Sequence, residues 1–237
     1  MVEVKYIYSY QGKPVNEYTI RNGKYQVSVL NLGATLTKFV VRNRFKKYES
    51  VHLRFYDYRM YRHSSHPLTS LWVKEENEPV SLSNVYFKAE FIEDGLRFTS
   101  THPSYSLTID YRLIGHQLII HNHSNDLKNY LFSFYLTLSG NLKRDCSEHQ
   151  CKVDDIMIDL FNPVMNERFY AKDTLFLMDM ENGVKLDFKT PIDCQINNRL
   201  SMPEKMRFNK GLHVTETDVI QLVFPLINEC ITIDFRL

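Results

Sequence analysis

Between Lys24 and Leu30 the chain alternates polar and apolar residues. Tyr25, Val27 and Val29 fall on one face of an extended segment, with Lys24, Gln26 and Ser28 on the other. Asn22-Gly23 stands just before it. That dipeptide suits a type I′ turn, whose central residues both need φ > 0, so a hairpin with Tyr18 to Arg21 as its first arm is predicted. Leu32-Gly33-Ala34 punctuates the run. A second β-rich stretch, Thr35 to Val41, then ends at the basic turn Arg42-Asn43-Arg44.

The same pattern continues along the chain. Lys5 to Tyr10 ends at Gln11-Gly12-Lys13-Pro14, and Val51 to Phe55 is another short run. Val85 to Ile92 meets Glu93-Asp94-Gly95, across which Leu96 to Ser100 returns. Tyr105 to Leu113 pairs with Gln117 to His123 across Ile114-Gly115-His116. Leu131 to Leu138 is almost wholly apolar and aromatic, the signature of a strand buried on both faces. Val184 to Phe188, Val219 to Phe224 and Cys230 to Phe235 complete the set. Strands spaced by about 8–12 residues predict a sandwich or barrel. The least regular segments are Tyr56 to Asn84 and Gly140 to Asp155, and long loops on a β scaffold are where sites tend to sit.

Composition agrees with this reading. The 237 residues include 15 Tyr and 15 Phe, which favour strands. The 43% hydrophobic content supports a sizeable core, and a single all-β domain over 1–237 is expected. No internal repeat or low-complexity linker divides it. A net charge of +1 gives no electrostatic case for nucleic acid or an anionic membrane. No apolar run approaches the roughly 20 residues of a membrane span. The first residues enter strand-like sequence without a signal-peptide pattern, and the four cysteines are sparse, so a cytoplasmic protein with reduced thiols is expected.

Taken in order, these words resemble the aldose 1-epimerase (galactose mutarotase) family. Asn31-Leu32-Gly33-Ala34-Thr35-Leu36 is similar to its "N-x-G-A-x-L" signature. Tyr105 to Leu113 followed by Gln117 to Asn125 looks like its central hairpin. Phe134 to Gly140 resembles its "H-x-Y-F-N-L-x-G" strand, and Asp159 to Val164 its "A-D-x-Y-x-P-V" segment. Asp173 to Leu177 resembles "D-H-x-F-x-L", and Lys210-Gly211 the lead-in to the terminal strand. The resemblance implies a galactose-mutarotase-like antiparallel β-supersandwich that holds a sugar on its concave face.

It also shows what is missing. The family's general acid, a His on the central strand, is matched here by Ser133. The "G-R-x-A-N-R" and "N-H-x-L-H-G-G" segments are absent, because Leu71-Trp72-Val73 runs almost directly into Pro79-Val80-Ser81-Leu82. The Glu that serves as general base has no counterpart in Thr190 to Asn198, and Glu204 is displaced. Asp173 alone carries over, at the place of a sugar-hydroxyl-binding Asp. Mutarotation needs a base at the anomeric hydroxyl and an acid at the ring oxygen, with pKa values suited to both. A serine hydroxyl titrates far too high to be that acid.

Replacement groups can be named. His63 and His66 lie in an irregular loop where the family builds its site rim, and His102 precedes a proline at a strand entrance. If the chain is catalytic, one of these three paired with Asp173 or Glu204 must do the work. The competing reading is that they are solvated loop and turn residues. Arg62, Trp72, Asp173 and Gln195 are the candidate sugar-binding residues; for Trp72 the competing role is partly buried core, and for Asp173 a structural cap. His121 and His123 share a strand parity but lack a third ligand. Cys146, His149 and Cys151 are too irregularly spaced for a zinc knuckle, so no metal and no cofactor are expected. The partner implied is a small sugar. The readings left open are a hexose-binding epimerase relative, a non-catalytic carbohydrate-binding or regulatory module, and an interaction protein with no sugar site.

Overall fold

The structure, a computed structural model, describes residues 1–62, 68–76, 78–124, 128–136, 149–154, 156–158, 168–172, 174–179, 183–189, 194–197, 220–226 and 230–235. The N-terminal hairpins build an antiparallel five-stranded sheet of β1 (Val2–Tyr10), β2 (Lys13–Asn22), β3 (Tyr25–Leu30), β4 (Leu36–Arg42) and β5 (Tyr48–Ser50), in that order. The hairpin predicted at Asn22-Gly23 is present, but its turn is one residue later. Asn22 pairs with Tyr25 as part of the ladder, and the two loop residues are Gly23 and Lys24. Only Gly23 of these has a positive φ, +60°, so a single glycine suffices where type I′ would need two left-handed residues.

After a 3₁₀ turn at Tyr58–Arg62 come β6 (Leu71–Lys74) and β7 (Pro79–Ser81), both inside the segment expected to be irregular. Their four and three residues are too few to show a period. The predicted run Val51 to Phe55 is not a strand: Tyr48–Ser50 is, and His52 makes only an isolated bridge to Leu136. The remaining strands are β8 (Phe87–Ile92), β9 (Gly95–Ser100), β10 (Thr108–Ile114), β11 (Gln117–Asn122), β12 (Tyr130–Leu136), β13 (His149–Val153), β14 (Ile156–Ile158), β15 (Arg168–Ala171), β16 (Thr174–Asp179), β17 (Lys185–Lys189), β18 (Cys194–Asn197), β19 (Ile220–Pro225) and β20 (Cys230–Asp234).

Nine of these form one sheet, ordered β14-β13-β16-β17-β20-β11-β10-β9-β8, and six form another, β15-β18-β19-β12-β6-β7. The five- and six-stranded sheets are joined where Val51 N–H donates to the Phe39 carbonyl (2.8 Å) and Leu53 N–H to that of Tyr135 (2.8 Å). Residues of alternate parity from all three sheets enter one core: Val27 and Phe39 from the first, Phe98, Tyr111, Ile120 and Phe188 from the second, Phe132, Phe134 and Phe224 from the third. This is the all-β antiparallel sandwich that the strand spacing predicts.

The first segment that carried the resemblance, Asn31 to Leu36, is structural, whereas Asp159 to Val164 and Lys210-Gly211 lie outside the described residues. Asn31 Oδ1 accepts from Asn16 N–H (2.9 Å), and its amide donates to the Pro14 carbonyl (3.1 Å). Gly33, with φ +71°, lies against Thr35 and the Ser83 backbone, and the Tyr111 hydroxyl donates to the Ala34 carbonyl at 2.6 Å. Asp154 has a positive φ of 50° and accepts backbone hydrogen bonds from Lys172 and Thr174.

Candidate functional site

Strand β12 has two distinct faces. Tyr130, Phe132, Phe134 and Leu136 enter the core, so Leu131, Ser133 and Tyr135 must point to the opposite side of the sheet. In an antiparallel ladder, directly paired residues share a face. Leu131 pairs with Trp72 and Pro225, Ser133 with Val223, and Tyr135 with Gln221, while Val223 also pairs with Gln195. Trp72, Ser133, Tyr135, Gln195 and Gln221 therefore share the outer face of the six-stranded sheet, which at Tyr135 is covered by a second apolar cluster that includes Leu53, Phe55 and Tyr61.

Hydrogen bonds tie this set together. The Gln221 amide donates to the Tyr135 hydroxyl (3.2 Å) and lies 3.5 Å from Ser133 Oγ. Ser133 N–H donates to the Ser70 carbonyl (2.7 Å), which seats it beside β6. The Trp72 indole donates to the Thr69 carbonyl (3.2 Å) and leaves its ring half-buried. Ser133 and Tyr135 are buried; Gln195 and Gln221 are half-buried. Burial drives the Tyr135 hydroxyl well above the ordinary tyrosine range, although Ser133, Gln221 and Trp72 beside it pull the other way. At neutral pH it is a neutral donor and acceptor.

Behind Tyr135 lies His52, 2% exposed, its ring centroid 6.3 Å from that of Tyr135 and 6.2 Å from that of Phe134. Among the described residues, neither of its nitrogens has a hydrogen-bond partner. Desolvation lowers its pKa to about 4, against a smaller opposing contribution from the Leu53 backbone. It is therefore a neutral imidazole at neutral pH. Sequence reasoning passed it over, and the signal available was a lone polar residue between Val51 and Leu53.

The sequence-derived candidates scatter. Trp72 and Gln195 lie on the face just described. Arg62 belongs to the 3₁₀ turn, with its guanidinium 4.4 Å from the Tyr10 ring centroid and 5.7 Å from that of Tyr8, so it is held by β1. His102 sits in the turn after β9, where its Nδ1 accepts from Ser104 N–H (3.2 Å) and its ring lies 4.9 Å from Tyr105. His63, His66, Asp173 and Glu204 lie outside the described residues.

A second polar cluster lies on the outer face of the nine-stranded sheet. Buried Asp110 accepts two hydrogen bonds from Arg97 (2.7 and 2.9 Å), one from Arg112 (3.1 Å), and contacts His123 Nε2 at 2.8 Å. His121 and His123 do share a face, with ring centroids 4.0 Å apart, but Asp110 engages His123 directly. Burial pushes the Asp110 carboxyl up, and the hydrogen bonds from Arg97, His123 and Arg112 outweigh it and hold the group below its usual value. This carboxylate is internally compensated.

Among the described residues, the outer face of the six-stranded sheet thus offers hydroxyls, amides and an indole but no carboxylate. Its half-buried amides, Gln195 and Gln221, can exchange hydrogen bonds with a polyol. It contains no pair of groups that titrate near neutrality.

No protein-family model matches the chain, and no curated protein matches it. Solved structures do. A GalM/aldose epimerase homologue from C. elegans superposes with a TM-score of 0.68 at 12% identity, covering 94% of this chain and 99% of that one. The galactose 1-epimerase from Lactobacillus acidophilus gives 0.64 at 13% identity over 100% and 98%. A galactose mutarotase-like protein from Clostridium acetobutylicum gives 0.58 at 8% over 99% and 98%. At such identities the likeness establishes the fold.

Proposed function

On this galactose-mutarotase-like β-sandwich, we propose that the chain binds a hexose or hexose derivative on the outer face of the six-stranded sheet and does not rely on the family's acid/base pair. One observation carries the reading. Ser133, at the place of the family's acid, is linked through Gln221 to Tyr135, on the same face as half-buried Trp72 and Gln195. Sugar recognition needs paired donors and acceptors beside an apolar or aromatic surface. The half-buried Gln195 and Gln221 amides supply the first, with buried Ser133 and Tyr135 holding Gln221 in place, and Trp72 and Leu131 supply the second. The anomeric proton transfers need more, since Ser133 and Tyr135 keep their protons at neutral pH and His52 is buried.

The test is direct because Trp72 is the chain's one tryptophan. Titration with galactose and glucose should change its fluorescence saturably. Gln221→Ala should weaken that binding about threefold to tenfold, the usual worth of a hydrogen bond. Interconversion of the α- and β-anomers, followed by NMR, should run at the buffer rate. A flat titration for both sugars would sink the binding reading. Acceleration that vanishes in Asp173→Ala would instead mean a relocated catalytic pair.

A further inference from the structure

Strand β1 is the outer strand of the five-stranded sheet and, among the described residues, pairs with β2 alone. Met1 and Arg21 exchange backbone hydrogen bonds, Arg21 N–H to the Met1 carbonyl at 2.9 Å and the Met1 ammonium to the Arg21 carbonyl at 3.2 Å. The ladder repeats every two residues, so Glu3 and Lys5 also bond inward, to Thr19 and Glu17. The N–H and C=O groups of Val2, Val4 and Tyr6 therefore point outward along a free edge. Their side chains are exposed too, by 36%, 47% and 60%. Val4 is in register with Tyr18, whose ring lies 6.5 Å from that of Phe91, itself 61% exposed. The edge thus runs beside an apolar strip. It stays straight only as far as Tyr6, after which the register shifts.

We propose that this edge pairs with a second copy of the chain, antiparallel about a twofold axis through Val4. Charge selects that register. Only the even-numbered residues have outward backbone groups, so only registers that pair even with even can form hydrogen bonds. Pairing Val2 with Val4 of the second copy sets Glu3 against Glu3. Pairing Val4 with Tyr6 sets Lys5 against Lys5. Pairing Val4 with Val4 sets Glu3 against Lys5 on both sides of the axis, and brings Val2 against Tyr6 on the apolar face. Opposite charges across a ladder stabilise it and like charges oppose it. Arg21 holds one Glu3 carboxylate oxygen (2.9 Å), which leaves the other for the incoming lysine. The contact is isologous and closes as a dimer. A lysine on an exposed edge normally discourages strand addition; here it admits a partner that brings a glutamate to the opposite position.

Sedimentation equilibrium on the full chain tests this. The unmodified protein should be a dimer in equilibrium with monomer. Lys5→Glu should raise the dissociation constant about tenfold, by turning both cross-strand pairs into like-charge contacts. The double reversal E3K/K5E should bring it back to within about twofold of the original. Val4→Pro removes an outward N–H without touching the β1–β2 bonds, and should leave a folded monomer. A protein that stays monomeric throughout overturns the proposal. So does a dimer indifferent to Lys5→Glu, which would use another surface, and a double reversal that restores nothing, which would exclude this register.

Discussion

At the scale of single residues, Gly33 is the sharpest case. With φ +71° and an added Cβ only 2.7 Å from Thr35 Oγ1 and 3.0 Å from the Ser83 Cα, no side chain fits without moving backbone. Gly33→Ala should cost about 1–3 kcal/mol in denaturant unfolding, from left-handed strain alone. An unchanged midpoint would mean that the turn relaxes freely. The sequence marked this glycine through its neighbours, since Asn31 to Leu36 is a contiguous signature. His52 and Asp154 were not legible in the same way. The burial of His52 comes from β12, more than eighty positions away in the chain, and the capping role of Asp154 from Lys172 and Thr174. The resemblance of the segment ending at Gly140 marks Ser133, but nothing marks its partner Gln221, because cross-strand pairs of distant strands leave no local pattern.

At the scale of the element, the continuous apolar run of β12 looked like a strand buried on both faces, and it is nearly that. Its two faces differ in what they touch. Phe134 is fully buried, with ring contacts to Phe132, Phe188 and Phe224, whereas Leu131 is half-buried on the outer face. Phe134→Ala should cost about 3–5 kcal/mol, a large share of the stability of an ordinary domain. Leu131→Ala should cost about 1 kcal/mol, because less apolar area is withdrawn from water. Thermal melts of the pair would show the difference, and equal losses would mean that the face assignment is wrong. The long hairpins β8–β9 and β10–β11 could be read from sequence because each carries its own turn signal and a full period. The short strands β6 and β7 could not be, since three or four residues fixed by tertiary pairing show no period of their own.

At the scale of the whole molecule, the buried titratable groups make stability depend on pH in a definite direction. His52 has an ordinary value of 6.5 that burial lowers to about 4. Its neutral form is the one compatible with the fold, so unfolding takes up a proton between about pH 4 and 6.5. The associated stability is fully present above 6.5 and is lost as the pH falls toward 4, by about 3 kcal/mol over that interval. Asp110 also loses stability on acidification, but its window lies lower, because its carboxyl is held below the usual 3.8. The two can therefore be separated by where the loss begins. His52→Leu removes the imidazole from the junction of the five- and six-stranded sheets. Urea unfolding of the variant should be nearly flat between pH 6.5 and 4, and its stability at neutral pH should not fall, since the two unpartnered nitrogens are replaced by apolar surface. Below that window the variant should still lose stability as Asp110 protonates. If the variant kept the same slope between 6.5 and 4, His52 would not be the group that takes up the proton, and the acid response would have to come from carboxylates alone.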